Sequence, residues 1–194
     1  MIKVVKQFDP QYEKISYKSK SFGIFLAGGL VNVDKDWRNA VIDELIRLDS
    51  LNNEIKREYE LVIYNPNEVY DRVDINTKSM DDIIKWDMDK LMFDSVIKSF
   101  YFVGGNATQT SSQVELFTTL IDDIYTGADE NFPKYIILGI EDDYINKEKL
   151  LAYLKYTLTN TVFEYVLNSI QNNIIDFARK IYDCYLEYID YMKL

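Results

Sequence analysis

The sequence predicts an α/β protein: a doubly wound parallel sheet, with a helical extension at the C-terminal end. Two observations carry that expectation. Between Phe22 and Ile140, short apolar runs stopped by glycine or by Asn-Pro alternate with amphipathic segments. Alternation of this kind builds a parallel sheet with helices on both faces and right-handed crossovers. Beyond Asn146 the alternation ends, and residues 147–194 contain neither proline nor glycine. The chain therefore divides into an α/β domain over 1–146 and a helical extension over 147–194, packed on that domain or on a partner subunit.

The elements follow in order. The first twenty residues, "MIKVVKQFDPQYEKISYKSK", leave room for a strand or hairpin and suggest no function. "FGIFLAGG" (Phe22 to Gly29) reads as a buried strand ending in a tight turn. In "DKDWRNAVIDELIRL", Asp34 or Asp36 is the N-cap, and Trp37, Val41, Leu45 and Leu48 recur at helical spacing. "ELVIYNPN" is a second strand, expected to stop at Asn65–Pro66. "MDDIIKWDMDKLMFDS" carries a helical stripe of Ile83, Ile84, Leu91 and Met92. A third strand ("VIKSFYFVGG"), a helix ("SSQVELFTTLIDDIY") and a fourth strand (Lys134 to Ile140) complete the alternation. The extension, with Leu150, Leu154, Leu158, Phe163, Val166 and Ile170 at helical spacing, reads as two or three helices with a break near Thr159–Thr161.

Composition narrows the function. A formal net charge of -10 argues against a nucleic-acid surface, which needs clustered Lys and Arg. A small phosphorylated ligand stays compatible, because a local set of backbone N–H groups binds it whatever the global charge. The single cysteine, Cys184, excludes an internal disulfide and reads as a packing residue in a helix. The chain has no histidine, which removes imidazole-based triads and most zinc sites. Acid–base chemistry must then rest on carboxylates, Lys or Tyr. The start lacks an uninterrupted apolar segment, and no stretch approaches the roughly 18 apolar residues of a membrane span. The expectation is a cytoplasmic protein with no metal, no cofactor, no membrane contact and no nucleic-acid partner.

In parallel sheets of this kind, ligands sit beyond the carboxyl ends of the strands. Ala27–Gly29, Asn65–Asn67 and Gly104–Ser112 are expected there. Just beyond the last of these, Glu115 sits where a helix should be starting. Two explanations stand open for it: an acid that suits the helix dipole or completes a capping box with Ser111 or Ser112, or a reacting group. Asp87, directly after Trp86 in the preceding helix, sharpens the second. Two carboxylates at one cleft divide labour, one ionised against an electron-poor sugar carbon and the other neutral and ready to protonate the leaving group. That pairing needs neither histidine nor metal and suits cleavage of a glycosidic bond. Asp89 and Asp94 read as solvated helix charges.

Taken together, "IFLAGG", the "DW" that begins the first helix, "YNPN", "WDMDKL" and "TQTSSQVEL" resemble the nucleoside 2-deoxyribosyltransferase-like family, over about Phe22 to Ile140. The resemblance implies a flavodoxin-like fold and an enzyme that cleaves the N-glycosidic bond of nucleosides or nucleotides. It implies that Glu115 is the nucleophile at the anomeric carbon and Asp87 the acid that protonates the base or assists water. It makes Leu26, Ala27, Gly28 and Gly29 the loop facing the ribose or phosphate, with Asn65 closing the base end beside Trp86. Gly104 and Gly105 let backbone approach the ligand, and Ser111 and Ser112, with Thr108 and Thr110, suit a 5′-phosphate. The resemblance also implies a homo-oligomer in which a neighbouring subunit reaches the ligand. Departures are visible too. Gln109 stands where the transferases have an aspartate, and Phe117 stands where many members have a glycine, which narrows the pocket or packs on the sheet. Ser95, beside Asp94, stands where an aspartate commonly precedes the third strand. Transfer to another base, hydrolysis, and nucleotide binding without turnover all remain open at this point.

Overall fold

Five parallel strands organise the chain in the order β1-β3-β2-β4-β5. They are β1 (Ile2–Gln7), β2 (Ser21–Gly28), β3 (Glu60–Val69), β4 (Ile97–Phe102) and β5 (Ile136–Ile140). The structure is a computed structural model that describes residues 2–10, 21–29, 36–52, 60–71, 73–105, 108–125 and 136–192. The helices among them are α1 (Trp37–Leu51), α2 (Met80–Asp89), α3 (Thr110–Tyr125), α4 (Lys147–Thr157), α5 (Asn160–Ser169) and α6 (Ile174–Met192). This is the expected flavodoxin-like α/β architecture, with one added edge strand, β1.

Strand period decides which helix each residue meets. Phe22, Ile24 and Leu26 of β2, with Leu61, Ile63 and Tyr101, bury against Trp37, Val41 and Leu45 of α1 and Phe177, Ile181 and Tyr185 of α6. Their alternates Phe25, Ala27, Val62, Tyr64 and Phe100 meet Trp86 of α2, Leu116 and Leu120 of α3, Leu150 and Leu154 of α4, and Phe163 of α5. Residues 147–192 thus cover both faces of the sheet through α4, α5 and α6. Cys184 is buried in the α6 core, as a packing residue.

Local chemistry sets the helix ends. Asp36 caps α1 by accepting from the backbone of Asn39, while Asp34 lies outside the described residues. Ser79 and Asp82 form a reciprocal capping box at α2. Beyond Asp89 the stripe does not continue as α-helix: Lys90–Asp94 is a π turn. The extension breaks at Leu158, and Thr159 caps α5.

One strand boundary differs from the expectation. β3 does not stop at Asn65–Pro66 but runs on to Val69, and its pairing with β1 slips there, so that Lys6 faces Asn65 while Gln7 faces Val69. Its register with β2 ends at Tyr64, which leaves Pro66 in a bulge where no ladder donor is required of it.

β2 lies between β3 and β4, so the chain leaves it toward one side and later returns to the other. The crevice this reversal opens, at the carboxyl ends of β2 and β4, is where such sheets bind ligands.

Phe177 is fully buried, 4.9 Å from the ring of Tyr101 and 6.5 Å from that of Trp37. Phe177→Ala is expected to cost about 3–5 kcal/mol in urea unfolding. A cost below about 1 kcal/mol would mean that α6 is peripheral to the core.

Candidate functional site

The site begins with a buried cation. Arg38, in the first turn of α1, is 3% exposed. Its Nε donates to the carbonyl of Leu26 (3.0 Å), its Nη1 to Gly29 (3.0 Å) and its Nη2 to Gly28 (2.7 Å). Its guanidinium lies 4.3 Å from the centre of the Trp37 ring. The end of β2 therefore enters the site as three carbonyls held by one side chain. The side chains of Leu26 and Ala27 are core. Gly28 is obligatory for packing, since a Cβ there would stand 2.5 Å from both the Trp37 ring and the carbonyl oxygen of Tyr101.

Both candidate acids feel this cation. Burial raises Asp87 to about 6, against the opposing effects of a hydrogen bond from Gln7 Nε2 (3.1 Å) and the charge of Arg38. Burial and then the charge of Asp87 raise Glu115 to about 7, with Arg38 again opposing. Burial lowers Arg38 to about 10, and Glu115, Asp87 and Asp36 pull it back, so it stays charged at neutral pH. Asp87 of α2 and Glu115 of α3 thus both feel the charge of Arg38 of α1, and the charge of Asp87 raises Glu115. Their midpoints of about 6 and 7 make them a coupled pair in titration.

The position of Glu115 corrects one explanation of it. α3 begins at Thr110 and carries no acid in its first turn, so Glu115 lies too far into the helix to complete a capping box with Ser111 or Ser112. Ser112 is buried and Ser111 exposed, so the two do not line one surface. Asp94 is paired with Lys90.

Gln109 closes the crevice. It adopts a left-handed backbone (φ 49°), its Oε1 accepts from the N–H of Gly29 (3.0 Å) and Val103 (3.4 Å), and its Nε2 donates to the carbonyl of Val103 (2.8 Å). The amide thus ties the end of β2 to the end of β4, and both ends of the side chain are engaged with backbone rather than directed at a ligand. Gly29 permits this, since a Cβ there would fall 2.7 Å from Gln109. Gly104 donates its N–H to Glu141 (2.7 Å) and packs on Asp143; the open side of the turn is at Gly105.

Trp86 is ringed by Phe8 (6.2 Å), Phe25 (6.4 Å) and Tyr64 (6.4 Å), so it anchors α2 rather than presenting an open wall. Asn65 is 1% exposed; its Oδ1 accepts from the N–H of Asn67 (3.1 Å), while its Nδ2 has no partner among the described residues. A buried amide donor left open at a strand's carboxyl end is a feature a ligand acceptor would satisfy. Phe117 packs edge-on against Tyr153 (6.0 Å). With Val114 and Ile121 these rings line an apolar groove of about 420 Å³ between α3 and α4, which Glu115 and Asp87 do not line. The bulk at position 117 therefore faces this groove.

Arg38 and Gln7 escaped the sequence reading. Arg38 had a legible signal: a cation in the first turn of a helix opposes the dipole, so something other than helix stability holds it there. Gln7 had none, because it meets Asp87 across 80 positions of sequence.

Among the described residues, no cluster of three or more His, Cys, Asp or Glu forms a metal site, and no helix is long and apolar enough to cross a membrane. Compared with protein-family models and with curated proteins, the chain matches none. The class in hand is thus a flavodoxin-like α/β protein with an interacting carboxylate pair and a buried arginine at the carboxyl edge of its sheet.

The acid pair has a stability signature. A carboxyl raised to about 7 keeps its proton in the folded chain where the unfolded chain has released it. Stability is therefore lost as pH climbs from the usual carboxylate range to about 7, and levels off above. Glu115→Gln is expected to match the parent near pH 4 and to exceed it by on the order of 2–3 kcal/mol at pH 8 in urea unfolding. An offset that is the same at both pH values would show Glu115 to be an ordinary solvated acid.

Proposed function

We propose that this protein cleaves the N-glycosidic bond of a 2′-deoxynucleoside or nucleoside 5′-monophosphate, passing the sugar to another base or to water. The observation that supports this reading is the electrostatic pairing of Asp87 with Glu115 beside Arg38, at the edge where the sheet opens. Each carboxyl is held above its usual range by burial, and Glu115, the more raised of the two, holds the proton at rest. The reacting form is the one in which that proton has passed to Asp87 and Glu115 is ionised.

In this mechanism a Glu115 carboxylate oxygen attacks C1′ of the sugar and forms a glycosyl ester. The C1′–N bond breaks, its electron pair goes to the base nitrogen, and Asp87 supplies the proton to that nitrogen. A second base, or water, then gives up a proton to Asp87 as it attacks C1′, and Glu115 leaves as the carboxylate. Arg38 faces both acids and keeps the anionic form of the pair accessible in a buried setting. The open Nδ2 of Asn65 suits an acceptor on the heterocycle or the sugar. The buried thiol of Cys184 suits a reducing, cytoplasmic setting.

One observation favours a second reading, nucleotide binding without turnover. Gln109, at the position of the transferases' aspartate, is spent on bracing backbone.

Incubation with a panel of deoxynucleosides and deoxynucleotides, with and without an acceptor base, tests the choice. Release of free base or an exchanged nucleoside is expected, with kcat/KM bell-shaped in pH and highest between about 6 and 7. Glu115→Ala is expected to lower kcat by about three orders of magnitude or more. Thermal stabilisation by these compounds without product would select the second reading.

A further inference from the structure

The N-terminal strand β1 ends inside the site. Three features coincide there. The pairing of β1 with β3 slips between Lys6 and Gln7, where Pro66, Asn67 and Glu68 of β3 have no β1 partner in the ladder, so regular pairing ends at Gln7. The next residue, Phe8, holds a left-handed backbone (φ 62°), which a bulky side chain adopts only when its surroundings impose it. Those surroundings are on hand: Phe8 packs against Trp86, the residue before Asp87, and Lys78 lies 4.8 Å from its ring. Gln7, 4% exposed, meanwhile directs Nε2 to Asp87 Oδ1 at 3.1 Å. A buried glutamine on an edge strand, set at a break in register and followed by a strained aromatic, is an arrangement in which local backbone cost secures one side-chain contact.

We infer that Gln7 is the positioning residue for Asp87: its amide occupies Oδ1, so that Oδ2 is the oxygen that carries and delivers the proton. The inference rests on the glycosidic reading for its chemical meaning but not for its geometry. With Oδ1 accepting from Gln7, the neutral acid keeps its proton on Oδ2. That proton passes to the leaving nitrogen as the C1′–N pair collapses onto it and Glu115 bonds to C1′. Asp87 feels the charge of Arg38 from α1 and itself raises Glu115 of α3, while of the lysines on its own helical segment Lys85 acts on Asp82 and Lys90 is engaged by Asp94. Gln7 is the neutral donor of the set. The strand that the sequence left without a role is thereby part of the acid's machinery.

Two variants of similar volume test this, Gln7→Met and Gln7→Glu, each checked for folding by circular dichroism. The carboxyl of Asp87, assigned through Asp87→Asn, is titrated by carbon-13 NMR in the intact chain. Gln7→Met is expected to raise its midpoint by about one pH unit, the worth of one hydrogen bond to a charged acceptor. Gln7→Glu, which sets a second acid against Asp87, is expected to raise it further. For the reaction, Gln7→Met is expected to lower kcat about tenfold or more with KM little changed and to move the alkaline limb of the pH profile upward. A midpoint unmoved in Gln7→Met, or equal in the two variants, would overturn the inference and leave Gln7 as a space-filling residue. If the parent chain turns over no substrate while the NMR midpoints move as expected, the glycosidic reading fails and the positioning of Asp87 by Gln7 stands.

Discussion

A guanidinium buried at the amino end of α1 is the constraint on which the site depends. Removing such a charge from water costs several kcal/mol even after relaxation, and the cost falls only if the charge is surrounded by acceptors. Arg38 meets that condition twice over, through the carbonyls of Leu26, Gly28 and Gly29 and through the fields of Asp87 and Glu115. The carbonyls belong to the end of β2 and the acids to α2 and α3. One cation therefore links the end of β2 electrostatically to both helices, and its charge favours the ionised form of each acid against the burial that raises it.

The crevice around this cation is braced at its other wall. Gln109 spans from Gly29 to Val103, and Glu141 spans from Tyr101 to Gly104. Close approach explains the glycines here: a Cβ at 29 would meet Gln109, one at 104 would meet Asp143, and one at 28 would meet Trp37 and the carbonyl of Tyr101. The glycines at 28, 29 and 104 make room for protein partners at this edge, while Gly105 faces open space. Rigidity of this kind suits chemistry that depends on holding two carboxyl groups at a set distance.

The helical extension takes part in the same economy of burial. α6 supplies Phe177, Ile181 and Tyr185 to one face while α4 and α5 close the other, so the strands that carry the site have no exposed apolar face among these residues. The apolar groove between α3 and α4 is a separate feature, lined by Val114, Phe117 and Tyr153 on a different side of α3 from the acid pair.

What the sequence determined by itself is the layered architecture: period and punctuation are local properties, and they disclosed the alternation of strands and helices, the cap at Asp36, the break near Thr159 and the two acids worth pairing. Where a local signal was read too literally, tertiary pairing overruled it. Asn65–Pro66 reads as a stop, yet β1 lies alongside and a bulge absorbs the proline. The tertiary structure alone decided that Glu115 falls in the second turn of its helix, that Gln109 braces backbone, that both acids feel the charge of Arg38, and that Gln7 reaches Asp87 from 80 residues away. The reason is physical: a side chain's burial and its charged neighbours depend on which elements the sheet order sets side by side, and that order is a property of the whole chain rather than of any segment.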